Sequence, residues 1–360
     1  MKVFYKFLFV VQIIILFTTC REVYYPEDVN SNQSIPVIQG RIVENELPSV
    51  TLSWALGYKD QITEYISGAQ VYVTDDLGNS VDLYETTPGN YNASDEADFK
   101  GVQGRTYTLH TVLPDGFEYV STPAYLQANP FVDSLYAYPD TREYYVYNAE
   151  GEPVLENQQG LYIQADLSAN AGSPLYYRFN TEVVKEMIYS IDVSTPAARS
   201  VYMWEIFTLD NVYSVDYSMT FNDRQVLLEH PVGFLRYFYD ATLETETATA
   251  PFTVGWVLIF KVYCISGDVF NYYNSIAQQL NSDNKLFAPV PSQIKSNIQC
   301  VSDKEKEVIG VFEASSVTTV YRAFAFKDLA SHLTEDISSF PENLKSGSRV
   351  GFPPDFWIFF

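Results

Sequence analysis

From Ser34 onward, short stretches in which apolar and polar positions alternate are separated by turn residues. A period of two is the mark of strands with one buried face. In Gln70-Val71-Tyr72-Val73-Thr74 the valines share a face, Asp75-Asp76-Leu77-Gly78-Asn79 turns the chain, and Val81 and Leu83 resume the alternation; this predicts a hairpin. A second hairpin sets Tyr107, Leu109 and Leu113 against Thr108 and His110, turns at Pro114-Asp115-Gly116 and returns through Phe117 to Val120. Turn signals about every ten residues predict a small immunoglobulin-like β-sandwich over 35–128. A loop rich in Pro and Asp, about Ala128 to Pro139, then leads to a larger β-rich domain over 129–360 with one or two helices.

Strands are expected in that second region at Leu161 to Leu167, Leu175 to Val183, Val201 to Leu209, Phe252 to Ile265 and Val308 to Val320. The Phe252 segment has apolar residues on both faces: Val254, Trp256, Leu258, Phe260 and Val262 on one, Val257 and Ile259 on the other. Such a strand is central, covered from both sides. After it, Val269, Tyr273, Ile276 and Leu280 recur at helical spacing behind Asp268, predicting a helix whose apolar stripe packs on the sheet.

The amino terminus breaks the alternation. Lys2 and Lys6 precede an apolar run, Phe7 to Phe17, which suits a secretory signal and is too short to span a bilayer, where ~20 residues are needed. Phe17-Thr18-Thr19 before Cys20 resembles a bacterial lipobox. The expected organisation is therefore a lipoprotein signal peptide over 1–19, lipid on Cys20 as the new amino terminus, and a polar tether over 20–34. The other reading is an ordinary cleaved signal with Cys20 incidental.

Composition narrows the function classes. A formal charge of −23, more negative by two once Lys2 and Lys6 leave, with no Lys/Arg-rich stretch, excludes nucleic acid as the expected partner. Aromatic residues make up 16% of the chain, with 29 Tyr and 24 Phe, favouring pleated surfaces and contact faces. The carboxyl end, Pro353 to Phe360, is strongly aromatic and reads as a tail packed on the domain. A barrel would instead need strands alternating throughout between lipid and lumen.

Candidate chemistry is sparse. Cys264 and Cys300 are the only cysteines after Cys20; an exported protein invites a disulfide between them, the alternative being two buried thiols. His110 falls on an outward position, where solvation is the expected state, and neither His230 nor His332 belongs to a metal or nucleophile motif. Asp75, Asp76, Asn79 and Asp82 could offer oxygens to calcium but do not fit an EF-hand loop. Asp133-Ser134-Leu135 has the form of a short O-glycosylation acceptor. No catalytic residue, cofactor or metal ligand is assigned, and the leaning is away from an enzyme, although the acidic residues offer many pairs of the kind glycosidases use.

Taken in order, Ile66 to Asn79 (ISGAQVYVTDDLGN), Gly104 to Gly116 (GRTYTLHTVLPDG), Asp268 to Asn284 (DVFNYYNSIAQQLNSDN) and Val308 to Val320 (VIGVFEASSVTTV) behind a lipobox resemble a Bacteroidota family of outer-membrane lipoproteins, domain of unknown function 4249. Gly310 matches that family's glycine in the GVFEASSV segment. The resemblance implies an outer-membrane, lipid-anchored protein of the cell envelope, at the cell surface or the periplasmic face. It also implies a non-catalytic binding or accessory component beside a TonB-dependent transporter. The alternative carried forward is a surface glycan-binding or glycan-hydrolysing lipoprotein.

Overall fold

The computed structural model describes residues 35–56, 62–147, 151–172, 174–191, 199–209, 214–236, 252–282, 294–325 and 348–350. Cys20, His332 and the aromatic carboxyl end lie outside these residues. The chain is mainly β, as its alternation predicts.

In the first region the strands are β1 (Pro36–Val43), β2 (Ser49–Trp54), β3 (Gln70–Asp75), β4 (Ser80–Thr87), β5 (Asn90–Ala93), β6 (Thr106–Val112), β7 (Glu118–Ser121) and β8 (Ala124–Tyr125). Both predicted hairpins form, β3 with β4 and β6 with β7. Then come β9 (Phe131–Tyr147), β10 (Pro153–Ala169), β11 (Tyr176–Ile191), β12 (Arg199–Thr208), β13 (Ser214–Tyr217), β14 (Met219–Phe221), β15 (Arg224–Arg236) and β16 (Phe252–Ile265). The chain continues through helix α1 (Gly267–Ser282), β17 (Ile298–Cys300), β18 (Ile309–Ala325) and β19 (Ser348–Val350).

One large sheet runs in the order β17-β7-β6-β3-β4-β5-β2-β1-β18-β16-β11-β12-β19. Its first half curls around one core, with Ile38, Leu52, Val73, Tyr91, Leu109 and Tyr119 pointing inward. That core is not made by residues 35–128 alone: Ile298, Cys300, Phe312 and Ala314 complete it. Asn297 draws the curl together, donating from its amide to the Phe312 carbonyl and accepting from the Phe312 N–H, both at 2.8 Å.

Strand β18 joins the two halves. Its residues 309–315 pair in parallel with β1, and residues 316–325 pair antiparallel with β16. The parallel stretch demands a glycine. Gly310 has φ +136°, and a Cβ there would overlap the Ile38 carbonyl, so no side chain fits at this crossing.

A four-stranded sheet, β14-β15-β10-β9, covers one face of the second half. Leu135, Leu161, Ile163, Leu167 and Leu235 from it meet Tyr177, Phe179, Val183, Trp256, Leu258 and Phe260 from the large sheet. The predicted central strand is thus β16, between β11 and β18, with Val257 and Ile259 buried on its other face. Helix α1 packs on Ile265 and Val311 and is capped by Ser266, whose hydroxyl accepts from the Val269 N–H at 3.4 Å. Its buried face is Val269 and Tyr272, with Tyr273 and Ile276 partly covered, whereas Leu280 is 58% exposed. The stripe read from spacing therefore holds for three of its four members, because the helix leaves the sheet before its last turn.

The predicted loop does not reach Pro139. The segment read as a loop up to Pro139 is strand from Phe131 onward. Proline normally rules out a strand because it cannot donate to the ladder; among the described strands β9 is the outermost of its sheet, with β10 as its one neighbour, and so tolerates it.

Candidate functional site

On the four-stranded sheet, odd-numbered residues of β10 fill the core, which leaves even-numbered ones on the opposite face. Tyr162 there is flanked by Tyr138 on β9 and Phe234 on β15. Tyr138 meets Tyr162 edge-on with centroids 5.4 Å apart. The Arg142 guanidinium lies 4.1 Å from the Tyr162 centroid and 5.2 Å from that of Phe234. Tyr144 stacks on Phe234 at 6.0 Å and in turn carries Arg236 at 4.9 Å. Gly160 makes this row possible, since a Cβ there would run into the Phe234 ring. The result is a ladder of aromatic rings and two guanidiniums on the face turned away from the core. Cations over ring faces are attractive where solvent still reaches them, at ~0.5–1 kcal/mol each. Gln158 and Asp140 hold the guanidinium edges, accepting from Arg236 and Arg142 at 3.1 Å each.

Neither the ladder nor its partners were singled out in the sequence. The sequence signal is Arg142 among Tyr136, Tyr138 and Tyr144 at strand spacing, which the Pro- and Asp-rich composition before Pro139 obscures.

The singled-out residues fall elsewhere. Cys264 and Cys300 are free, buried thiols in different cores. Each packs among the apolar side chains of its own core. Burial pushes the Cys264 thiol up to about 12.

His110 does lie on the outer face of its sheet, but it is half-buried rather than solvated: its ring stacks flat on Tyr72 at 4.5 Å. Burial lowers its pKa against the opposing charge of Glu118.

His230 is buried, and its Nδ1 sits 2.8 Å from the Asp216 carboxylate while its ring stacks on Phe179 at 3.9 Å. A bulge at Glu229, φ +55°, places it there. The bulge is held by Asp166, which accepts from the Glu229 N–H at 2.7 Å, and by Gln164, which donates to its carbonyl at 3.0 Å. His230 belongs to the four-stranded sheet and Asp216 to the large one, so this pair ties the two layers.

The acidic turn is closed on itself. Asp75 accepts from Leu77 N–H and Asn79 N–H at 2.9 Å and from the Asn79 amide at 2.8 Å, and Arg105 spans Asp75 and Asp76. Burial pushes the Asp75 carboxyl up, but the bonds from Asn79 and Leu77 and the Arg105 charge outweigh it and hold the group low. Ser134 is part of a strand, donating to Asp166 at 2.9 Å. Among the described residues no three His, Cys, Asp or Glu gather as a metal site. Buried Glu313 and Glu205 are engaged by Arg178 and Lys185 at 2.7 and 2.8 Å.

Residues 22–320 match the family described as Domain of unknown function (DUF4249). The chain belongs to that family. No curated protein and no solved structure matches it. In this DUF4249 member the matched span takes in the β1–β18 crossing with Gly310 and the four-stranded sheet, and so covers the whole of the candidate face.

Proposed function

We propose that this protein is an outer-membrane lipoprotein, anchored through acyl chains on Cys20, that acts as a non-catalytic binding component by docking a protein partner. The observation that carries the docking is the aromatic and arginine ladder on the outer face of β9, β10 and β15. Tyrosine and arginine are the residues that dominate protein contact surfaces, because each offers a large contact area with a polar edge. A sugar would need open ring faces, and in this ladder the faces of Tyr162, Phe234 and Tyr144 carry guanidiniums or other rings. That favours docking over glycan binding.

The proposed partner is a TonB-dependent transporter or a protein it handles, on the strength of the family resemblance. No described helix is long and apolar enough to cross a membrane, so membrane attachment in this reading rests on the lipid. Two measurements test it. Mass spectrometry of the mature amino terminus should find a diacylated Cys20, and an unmodified thiol there would remove the anchor. Gentle detergent extraction should recover the chain with a partner, lost on Arg142→Ala together with Arg236→Ala; recovery of the chain alone would end the docking reading.

A further inference from the structure

Arg142 and Tyr144 of the ladder lie on the β9–β10 hairpin, and towards its end an apolar pair stands on the opposite face, the one that fills the core further along β10. Tyr145 and Leu155 face each other across the strands and are 74% and 49% exposed, and neighbouring Val154 is 41% exposed. Cross-strand apolar pairs normally bury one another against a second layer, but here that side is open. The described residues of this hairpin end, 141–147 and 151–157, carry three Glu and one Arg.

The direction of the hairpin follows from contacts in the sandwich. His230, opposite Ala165, lies on Phe179, whose strand partners lead to Thr318. Gly233, opposite Ile163, lies on Leu209, which bonds to Thr181, in line with Val320. Moving along β10 towards the hairpin end therefore means moving along β18 towards Ala325. Strand β18 runs parallel to β1, so Ala325 is remote from the end where the chain enters at Pro36. At ~3.3 Å per residue, β18 alone carries this separation to roughly 50 Å.

We infer that the end of the β9–β10 hairpin, led by Tyr145 and Leu155, is a membrane-distal docking point for a protein whose surface offers an apolar cleft rimmed by Lys and Arg. The apolar pair supplies contact area, and the glutamates supply the charge that a basic rim complements and that an anionic bilayer repels. This rests on the lipid-anchored docking role proposed above.

The test uses the full chain in its own membrane. A photoreactive benzoylphenylalanine replaces Tyr145 in one strain and Tyr84, 62% exposed in the first region, in another. Irradiation should give a protein adduct from position 145 and none from 84, on a peptide of apolar residues flanked by Lys or Arg. Tyr145→Glu with Leu155→Glu should lower partner recovery at least ~10-fold, as expected when hot-spot residues are lost, with an unchanged melting temperature because both side chains are exposed. An adduct with lipid only, or equal recovery of partner by the double variant, overturns the assignment while leaving a docking role through the ladder. A wild-type chain that emerges with no partner overturns both.

Discussion

Arg178 on β11 grips Glu313 on β18 through two hydrogen bonds, Nε at 2.9 Å and Nη2 at 2.7 Å, beneath helix α1. Tyr263 lies under the guanidinium at 4.0 Å, Tyr273 of the helix at 5.7 Å, and Ser315 donates to the same carboxylate at 2.7 Å. Glu313 also stands opposite Arg41 in the parallel pairing with β1. One carboxylate thus joins both halves of the large sheet and the helix.

Breaking this pair should be costly. Glu313→Ala leaves a guanidinium buried without its anion, and the expected loss is about 3–5 kcal/mol in denaturant unfolding. Replacing both partners together, Arg178→Met with Glu313→Leu, should recover most of it. Equal damage from the double variant would show that the loss comes from packing.

The same pair predicts an acid limit. Burial pushes the Glu313 carboxyl up, but the Arg178 charge and hydrogen bonds outweigh this and hold its pKa below the ordinary value. A depressed folded pKa stabilises above the unfolded value of ~4.3 and is lost as pH falls through the folded one. Stability should therefore be level in this respect near neutrality and fall below pH ~4, and Glu313→Gln should flatten that part of the profile.

Gly310→Ala should abolish soluble expression or remove more than ~3 kcal/mol of stability. The substitution combines a positive φ with a collision against the Ile38 carbonyl where β1 meets β18. Near-normal unfolding of the purified variant would contradict the parallel pairing.

A fragment limited to residues 35–128 should be unfolded by circular dichroism and by amide dispersion in NMR. It lacks Ile298, Cys300, Phe312 and Ala314 of its own core. In the full chain, Asn297→Ala strands the Phe312 N–H and carbonyl, and should cost about 2–4 kcal/mol, the penalty of two buried unpaired groups.

The Cys264 and Cys300 thiols should resist alkylation in the native protein and react fully in denaturant without reductant. The buried Cys264 thiol, pushed up to about 12, supplies almost no thiolate near neutrality. A mass two hydrogens short of the reduced chain would instead reveal a bond between Cys264 and Cys300.

Much of the local structure was legible in the order of residues, because hairpins and helices form between neighbours. The β3–β4 turn follows from Asp75 to Asn79, β16 from its double-faced apolar run, and α1 from Val269, Tyr273 and Ile276. Pro139 misled, because whether a proline is tolerated depends on which side of the strand has a neighbour, and that is a property of the sheet. His110 misled likewise: parity gave its face, but not that Tyr72 would cover it.

What the tertiary structure alone decided is everything that joins distant segments. Alternation with a period of two states which residues share a face, and is silent on which strand lies alongside. The pairing of β1 with β18, the completion of the first core by Phe312, and the meeting of Arg142, Tyr162 and Phe234 are long-range contacts. They are settled by burying the summed apolar faces of the whole chain, and no local window contains that sum.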